Sequence, residues 1–382
     1  MQIGKTILGQ RTPGAALWLA NPRGKLSLGP ADVPAPGANQ VVIEVRAIAV
    51  NIFDHITRTV GHLVAPWLSY PAVLGTDVAG IVVAVGENVN GFAPGDRVVG
   101  LAAGTTKRRN NADEGAFRTH CALFGHMTAA IPDDVSFAQA AALPLAIATA
   151  ACGLFQRDFL GLVPPGADAI PTSEIVIVWG ASTSVGSNAV LLARAAGYRV
   201  MATAGPANFS MVENLGAESV FDYADPASPS RMTEALCGSK VAGAVAIGRG
   251  SSKACIDILA KSDGNRFVAQ GTTPASFENI PAGSGHWSRL LPVMAEMAGG
   301  SAKLKLRAAR KGVKSKFIWG TALIDNEVGP AIFQDFLPVA LKDGYCARLP
   351  EPMIAGTGLD AVPAALELRR AGVRASKVVV EL

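Results

Sequence analysis

The chain has 382 residues, 49% of them hydrophobic and 17% charged. That length predicts two domains and that balance excludes a disordered chain. The net charge of +4, from 34 basic and 30 acidic residues, is too mild to point to nucleic acid, and five scattered cysteines (Cys121, Cys152, Cys237, Cys255 and Cys346) without a C-x-x-C pair exclude a disulfide framework.

The opening residues, Met-Gln-Ile-Gly-Lys-Thr, lack the apolar core of a signal peptide. With the free thiols this makes a cytoplasmic protein the expectation. Residues 13–50 read as β structure. Pro-Ala-Pro-Gly at 34–37 marks a turn, and Val41–Val50 alternates as a strand. Short strands separated by glycine turns continue through Pro71–Gly86 and Phe92–Gly100, which predicts a barrel-like, mostly β first domain. Ala140–Phe155 is the longest apolar stretch, but it contains Pro144 and falls short of the ~20 residues of a spanning helix. It predicts buried core, with no membrane partner.

Ile175–Trp179 is a continuous β-branched and aromatic run, the mark of a strand buried on both faces. Gly180 breaks it, Ser182, Thr183 and Ser184 follow, and from Val185 the apolar spacing becomes helical until Gly197, placed as a helix C′ residue. A strand, a tight turn and a helix N-terminus together make a phosphate cradle of backbone N–H groups and positive dipole. Gly180 and Gly186 frame it with five residues between them. Strands at Arg199–Thr203, Ser219–Phe221, Gly243–Ile247 and Arg266–Ala269, with a helix at Asn208–Leu215, predict a parallel, doubly wound sheet.

Residues 271–300 are polar and contain Pro and Gly, which predicts loop with a short helix. Seven basic residues without an acid follow between 301 and 316 (Lys303, Lys305, Arg307, Arg310, Lys311, Lys314 and Lys316). They read as a solvated helix face, or as a docking surface for an acidic carrier. A strand at Lys316–Trp319, helices near Pro330–Leu341 and Leu359–Ala371, and a strand at Lys377–Val380 complete the chain.

In a dinucleotide fold an acid about 20 residues beyond the glycine turn bonds the ribose 2′-OH and selects NAD. Here the second strand ends Ala-Thr-Ala-Gly-Pro at 202–206, with no acid before Glu213. NADPH is therefore the expected cofactor.

Several stretches carry a resemblance: Ala-Val-Asn-Ile-Phe-Asp at 49–54, Val-Leu-Gly-Thr-Asp-Val-Ala-Gly at 73–80, Phe-Ala-Pro-Gly-Asp-Arg-Val at 92–98, the glycine turn, Gly-Ala-Glu-Ser-Val-Phe-Asp-Tyr at 216–223 and Phe-Ile-Trp-Gly-Thr at 317–321. In this order they resemble the medium-chain dehydrogenase/reductase superfamily, in its zinc-free branch of quinone oxidoreductases and trans-acting enoyl reductases. The resemblance implies an α/β fold: a GroES-like, mostly β catalytic domain over 1–144 and 322–382, and a Rossmann dinucleotide-binding domain over 145–321. It implies cofactor contacts from Asn51, Thr149, Gly180, Ser182, Thr183, Ser184, Val185, Gly186, Gly248, Phe317, Trp319 and Gly320. Tyr223 matches the tyrosine that packs against the 2′-phosphate, while Asn208 stands where relatives often carry a lysine. The zinc alcohol dehydrogenases of this superfamily carry a Cys near Asn51 and Gly-His-Glu at Gly75-Thr76-Asp77. With Asn51 and Thr76 in those places no metal is expected.

Without a Lewis acid the expected chemistry is hydride transfer from NADPH to an activated C=C of an enone or enoyl thioester, with Asn51, His55 and Tyr70 as candidate catalytic residues. A quinone reductase and a non-catalytic NADPH-binding protein are the alternatives. The expected partner is a small electrophile, free or carrier-bound, acted on by a monomer or homodimer.

Overall fold

The computed structural model describes residues 14–166, 169–280 and 287–382. The opening hexapeptide lies outside the described residues, as do residues 281–286 of the segment read as loop.

The first domain is built from β1 (Ala15–Leu19), β2 (Leu26–Pro30), β3 (Gln40–Ala49), α1 (Ile52–Val64), β4 (Ala72–Val73), β5 (Asp77–Val85), β6 (Arg97–Leu101), β7 (His120–Phe124) and β8 (Thr128–Ala130). Two short helices, α2 (Phe137–Ala141) and α3 (Pro144–Phe155), then carry the chain into the second domain. Pro144 is tolerated because it stands in the first turn of α3, where no N–H is needed. The apolar stretch Phe137–Phe155 has the length and composition to cross a membrane, yet most of it lies inside the core.

The second domain alternates as read: β9 (Ile175–Trp179), α4 (Ser184–Ala195), β10 (Arg199–Ala204), α5 (Phe209–Asn214), β11 (Ser219–Asp222), α6 (Ser228–Ala235), β12 (Lys240–Ala246), α7 (Ser251–Leu259), β13 (Asp263–Gly264), β14 (Phe267–Gln270), α8 (Trp287–Arg310) and β15 (Lys314–Phe317). Its sheet runs β11-β10-β9-β12-β14-β15, with β13 beside β12, and every pairing is parallel. The apolar run of β9 is buried throughout because helices cover both faces. Gly197 ends α4 at φ +85°, as a C′ glycine.

The chain then returns to the first domain through α9 (Val328–Pro330), α10 (Leu337–Lys342), α11 (Tyr345–Arg348), β16 (Met353–Thr357), α12 (Val362–Ala371) and β17 (Val378–Glu381). There the sheet runs β16-β17-β3-β5-β6-β8, with β7 also on β3, and a three-stranded sheet β2-β1-β4 lies apart from it. The ladder does not close on itself, so the domain is a partly open form of the expected barrel.

One sequence expectation is corrected. The segment read as loop with a short helix becomes, from Trp287, the 24-residue helix α8. Pro292, Gly299 and Gly300 disguise it, and packing of Leu290, Leu304 and Ala308 holds it. The basic run begins on this helix. Arg307 and Lys311 pair with Asp257 at 2.6 Å and 2.9 Å, and Lys316 pairs with Asp158. Lys303, Lys305 and Arg310 are exposed and have no ion pair among the described residues.

Candidate active site

The glycine turn has the geometry of an anion cradle. Gly180 adopts φ +82°, and a Cβ there would lie 2.4 Å from the Ile247 carbonyl oxygen. Thr183 caps α4: its hydroxyl accepts from the Gly186 N–H at 3.0 Å and donates to the Gly180 carbonyl at 2.8 Å. Thr183 is therefore committed to holding the turn. The first-turn N–H groups of Ser184 and Val185 have no intrahelical acceptor and face outward with the positive end of the helix dipole. A Cβ at Gly186 would stand 2.2 Å from the Gly180 carbonyl oxygen, so the helix start is pressed directly on the strand end.

The opposite wall of this groove comes from the first domain. Ser182, Ser184 and Asn188 face Leu349, Pro350, Ser376 and Lys377. In the sequence Lys377 marks only the start of a strand. Its Nζ lies 2.7 Å from Asp77 Oδ2 and 2.5 Å from Asn51 Oδ1, with Lys377 7% and Asp77 0% exposed. Asn51 Nδ2 donates to Thr76 Oγ1 (3.2 Å) and Asp77 Oδ2 (2.9 Å). Asp77 Oδ1 accepts the Leu145 N–H at the start of α3, where the helix dipole favours a carboxylate. Both Asn51 amide donors and its carbonyl are thus engaged by protein groups. Asn51 joins the two ends of the chain, and no donor of it is left for a reacting oxygen.

Asp54 closes the network by accepting the Asn51 N–H at 2.8 Å. Burial, reinforced by the neighbouring Asp77, pushes its carboxyl up to about 7 against the opposing hydrogen bond from Asn51. A carboxyl whose folded pKa lies above its unfolded value favours folding most when protonated, and that advantage fades as pH rises from about 4 to 7. Asp54→Asn, which keeps an acceptor oxygen, is expected to gain stability relative to the parent between pH 4 and pH 8, on the order of a few kcal/mol. Urea denaturation at the two pH values checks this, and a pH-independent difference would refute it.

The far end of the cleft is aromatic. The Trp319 ring meets Phe53 edge-on at 5.4 Å and Phe317 at 6.4 Å. Thr149, bonded to the Leu145 carbonyl, would lie 2.3 Å from a Cβ on Gly320, so α3 and the segment after β15 leave no room for a side chain there. At the other end, Tyr223 stands beside Gly205 and is 55% exposed, an open ring available for stacking. Asn208 lies in the same turn, just before α5. Asp222 comes level with Ala204 across the ladder, an acid the reading by sequence distance did not place there, but its Oδ1 is taken by the Ala224 N–H at 2.9 Å. Gly248 adopts φ +100° at the end of β12 and donates its N–H to Thr272 Oγ1 at 2.8 Å.

The candidate catalytic residues separate. His55 lies two positions from Phe53 on α1 and so points to the opposite side of the helix. It is 3% exposed, beside the Glu278 backbone and in the field of Arg58, Glu367 and Arg370, and burial lowers its pKa. The structure does not bring it to the aromatic cleft. The Tyr70 hydroxyl, by contrast, lies against Gly61 on α1. Among the described residues no group of three His, Cys, Asp or Glu side chains is arranged to hold a metal ion. Cys152 is buried, donates to Gln156 Oε1 at 2.8 Å, and its thiol is pushed up to about 12 by burial.

The comparisons agree with this architecture. Residues 37–152 match the alcohol dehydrogenase GroES-like domain. The dehydrogenase pigH of Monascus ruber is 42% identical over 92% of this chain and 94% of its own. The trans-enoyl reductase tndF of Aspergillus flavipes is 32% identical over 95% of this chain and 97% of its own. A quinone oxidoreductase structure from Pseudomonas syringae pv. tomato superposes with a TM-score of 0.65 over 97% of this chain and all of its own, at 23% identity. With a glycine cradle in one domain and a GroES-like domain supplying the facing wall, the chain belongs to the medium-chain dehydrogenase/reductase family of oxidoreductases.

Proposed function

We propose that this oxidoreductase uses NADPH, without a metal, to reduce a C=C bond activated by a neighbouring carbonyl. The observation that carries the reading is the Lys377 ammonium held among Asn51 and Asp77. It introduces a positive charge where zinc relatives would gather ligands, and the first two ligand places are Asn51 and Thr76. Bound NADPH supplies a hydride. The N–H groups of Ser184 and Val185 and the hydroxyls of Ser182 and Ser184 would hold its diphosphate, while Lys377 adds charge from across the groove. Thr149 and Gly320 would border the nicotinamide, and Phe53, Phe317 and Trp319 would give the cleft an apolar side beside the reacting carbon.

Tyr223 and the absence of an acid over residues 204–210 support NADPH. NADPH is expected to bind about tenfold more tightly than NADH, a difference of ~1.4 kcal/mol, measured by fluorescence titration. Equal constants would show that Tyr223 and Asn208 do not hold a 2′-phosphate.

The test of the function is NADPH oxidation against a panel of enones, enoyl thioesters and quinones in the presence of a chelator. Turnover of enones is expected. Loss of turnover with the chelator, or binding without oxidation of any acceptor, would overturn the reading. The cluster of aromatic rings, Phe53, Phe317 and Trp319, favours a quinone as the second reading, and the same panel separates the two. A carrier-bound acyl chain would meet the exposed Lys303, Lys305 and Arg310. The unpaired cysteines suit a cytoplasmic enzyme.

A further inference from the structure

We propose that the hydroxyls of Thr57 and Tyr70 form a two-donor seat for the carbonyl oxygen of the substrate. The inference rests on the carbonyl-activated acceptor proposed above. Thr57 follows Phe53 by four residues and so continues along α1 the face whose first member touches Trp319. Gly61 comes four residues later. A Cβ there would lie 3.1 Å from the Tyr70 hydroxyl oxygen and 3.7 Å from Thr57 Cγ2, so both side chains border one spot on the helix.

Both hydroxyl oxygens are buried, and neither has a hydrogen-bond partner among the described residues. Thr57 itself is 1% exposed. A helical threonine commonly bonds the carbonyl one turn back, as Thr59 does to His55 at 3.1 Å. Thr57 makes no such bond. An unmet buried hydroxyl costs about 1–3 kcal/mol, a cost that an acceptor brought by the substrate would offset.

The segments that carry both groups are anchored by hydrogen bonds. Asn51 and Asp54 cap α1 reciprocally. The segment leading to Tyr70 is clamped to the loop opposite: Ser69 N–H donates to Asn110 Oδ1 at 2.9 Å, Asn110 Nδ2 to Ser69 Oγ at 2.8 Å, and Trp67 Nε1 to the Thr105 carbonyl at 3.1 Å. Burial raises the Tyr70 phenol, which keeps it a donor at neutral pH.

The seat suits the electron flow. Hydride supplied by bound NADPH would form a C–H bond at the β-carbon and leave NADP+. The C=C pair becomes the bond between α-carbon and carbonyl carbon, and the C=O pair moves onto oxygen. Two fixed O–H donors stabilise that charge as it develops. The α-carbon then takes a proton from solvent, and the carbonyl reforms.

The near-isosteric variants Thr57→Val and Tyr70→Phe test this. Each is expected to lower kcat on 2-cyclohexenone by about a hundredfold, with NADPH affinity unchanged within twofold. Neither is expected to lower the melting temperature, because each removes an oxygen without a hydrogen-bond partner among the described residues. The second measurement does not depend on turnover: the infrared carbonyl stretch of cyclohexanone bound to the NADP+ complex. The seat predicts a shift to lower wavenumber in the parent that retreats in each variant. A parent without the shift, variants that keep it, or unchanged kcat would overturn the proposal. A parent that shows the shift but reduces no enone would leave the seat standing and refute the reductase.

Discussion

Lys377→Met is expected to destabilise the protein by about 3–5 kcal/mol, the cost of stranding one partner of a buried ion pair. Asp77 is fully buried, and with the ammonium gone its charge would keep only the Leu145 N–H and the Asn51 amide. The side chain of methionine is similar in length, so the loss would report charge and not packing. Urea denaturation measures it. Adding Asp77→Asn removes the stranded charge and is expected to recover most of the stability, without restoring cofactor affinity, since the cation across the groove from Ser182 and Ser184 is still missing. A single variant as stable as the parent would show that the pair adds nothing to the fold. A double variant with full NADPH affinity would show that Lys377 plays no part in binding.

Gly186→Val has the second large effect expected. Even the first added carbon would fall 2.2 Å from the Gly180 carbonyl oxygen and 2.8 Å from Ala181 Cα, both backbone atoms with little freedom to yield. The start of α4 must move away from the strand end. That also breaks the bond from the Gly186 N–H to the Thr183 hydroxyl, a cap worth ~1 kcal/mol. NADPH affinity should fall tenfold or more, a loss of at least ~1.4 kcal/mol. Titration of the variant, with circular dichroism confirming that it is folded, gives the answer. Unchanged affinity would mean that the diphosphate is held elsewhere.

The parts of the site legible in the sequence were those whose cause is local. Ile175–Trp179 is buried on both faces, and its composition says so. Gly180 and Gly186 stand at positions where a Cβ has no room, and the change from strand to helix spacing between them marked the turn. The hidden parts depend on distant partners. Lys377 and Asn51 are 326 positions apart, and a lysine ahead of an apolar strand gives no local sign of turning inward. His55 stands only two positions from Phe53 in the sequence, yet helical spacing sends the two to opposite sides of α1. The helix α8 looked like loop because Pro292 and paired glycines interrupt a weak pattern that only packing against the sheet domain makes helical.

The strand β17 has a consequence for how the protein comes into being. It lies between β16 and β3, pairing antiparallel with Ala47–Ala49. During synthesis those three residues of β3 must therefore wait, with their outer hydrogen-bonding edge bare, while the whole of the intervening sheet domain emerges and folds. That domain is continuous in the chain and closes its own parallel sheet, so it matures first. A bare strand edge of this kind is an open template for pairing with another chain. Lys377 immediately precedes β17, so sealing that edge and setting the Lys377 ammonium against Asp77 are a single event.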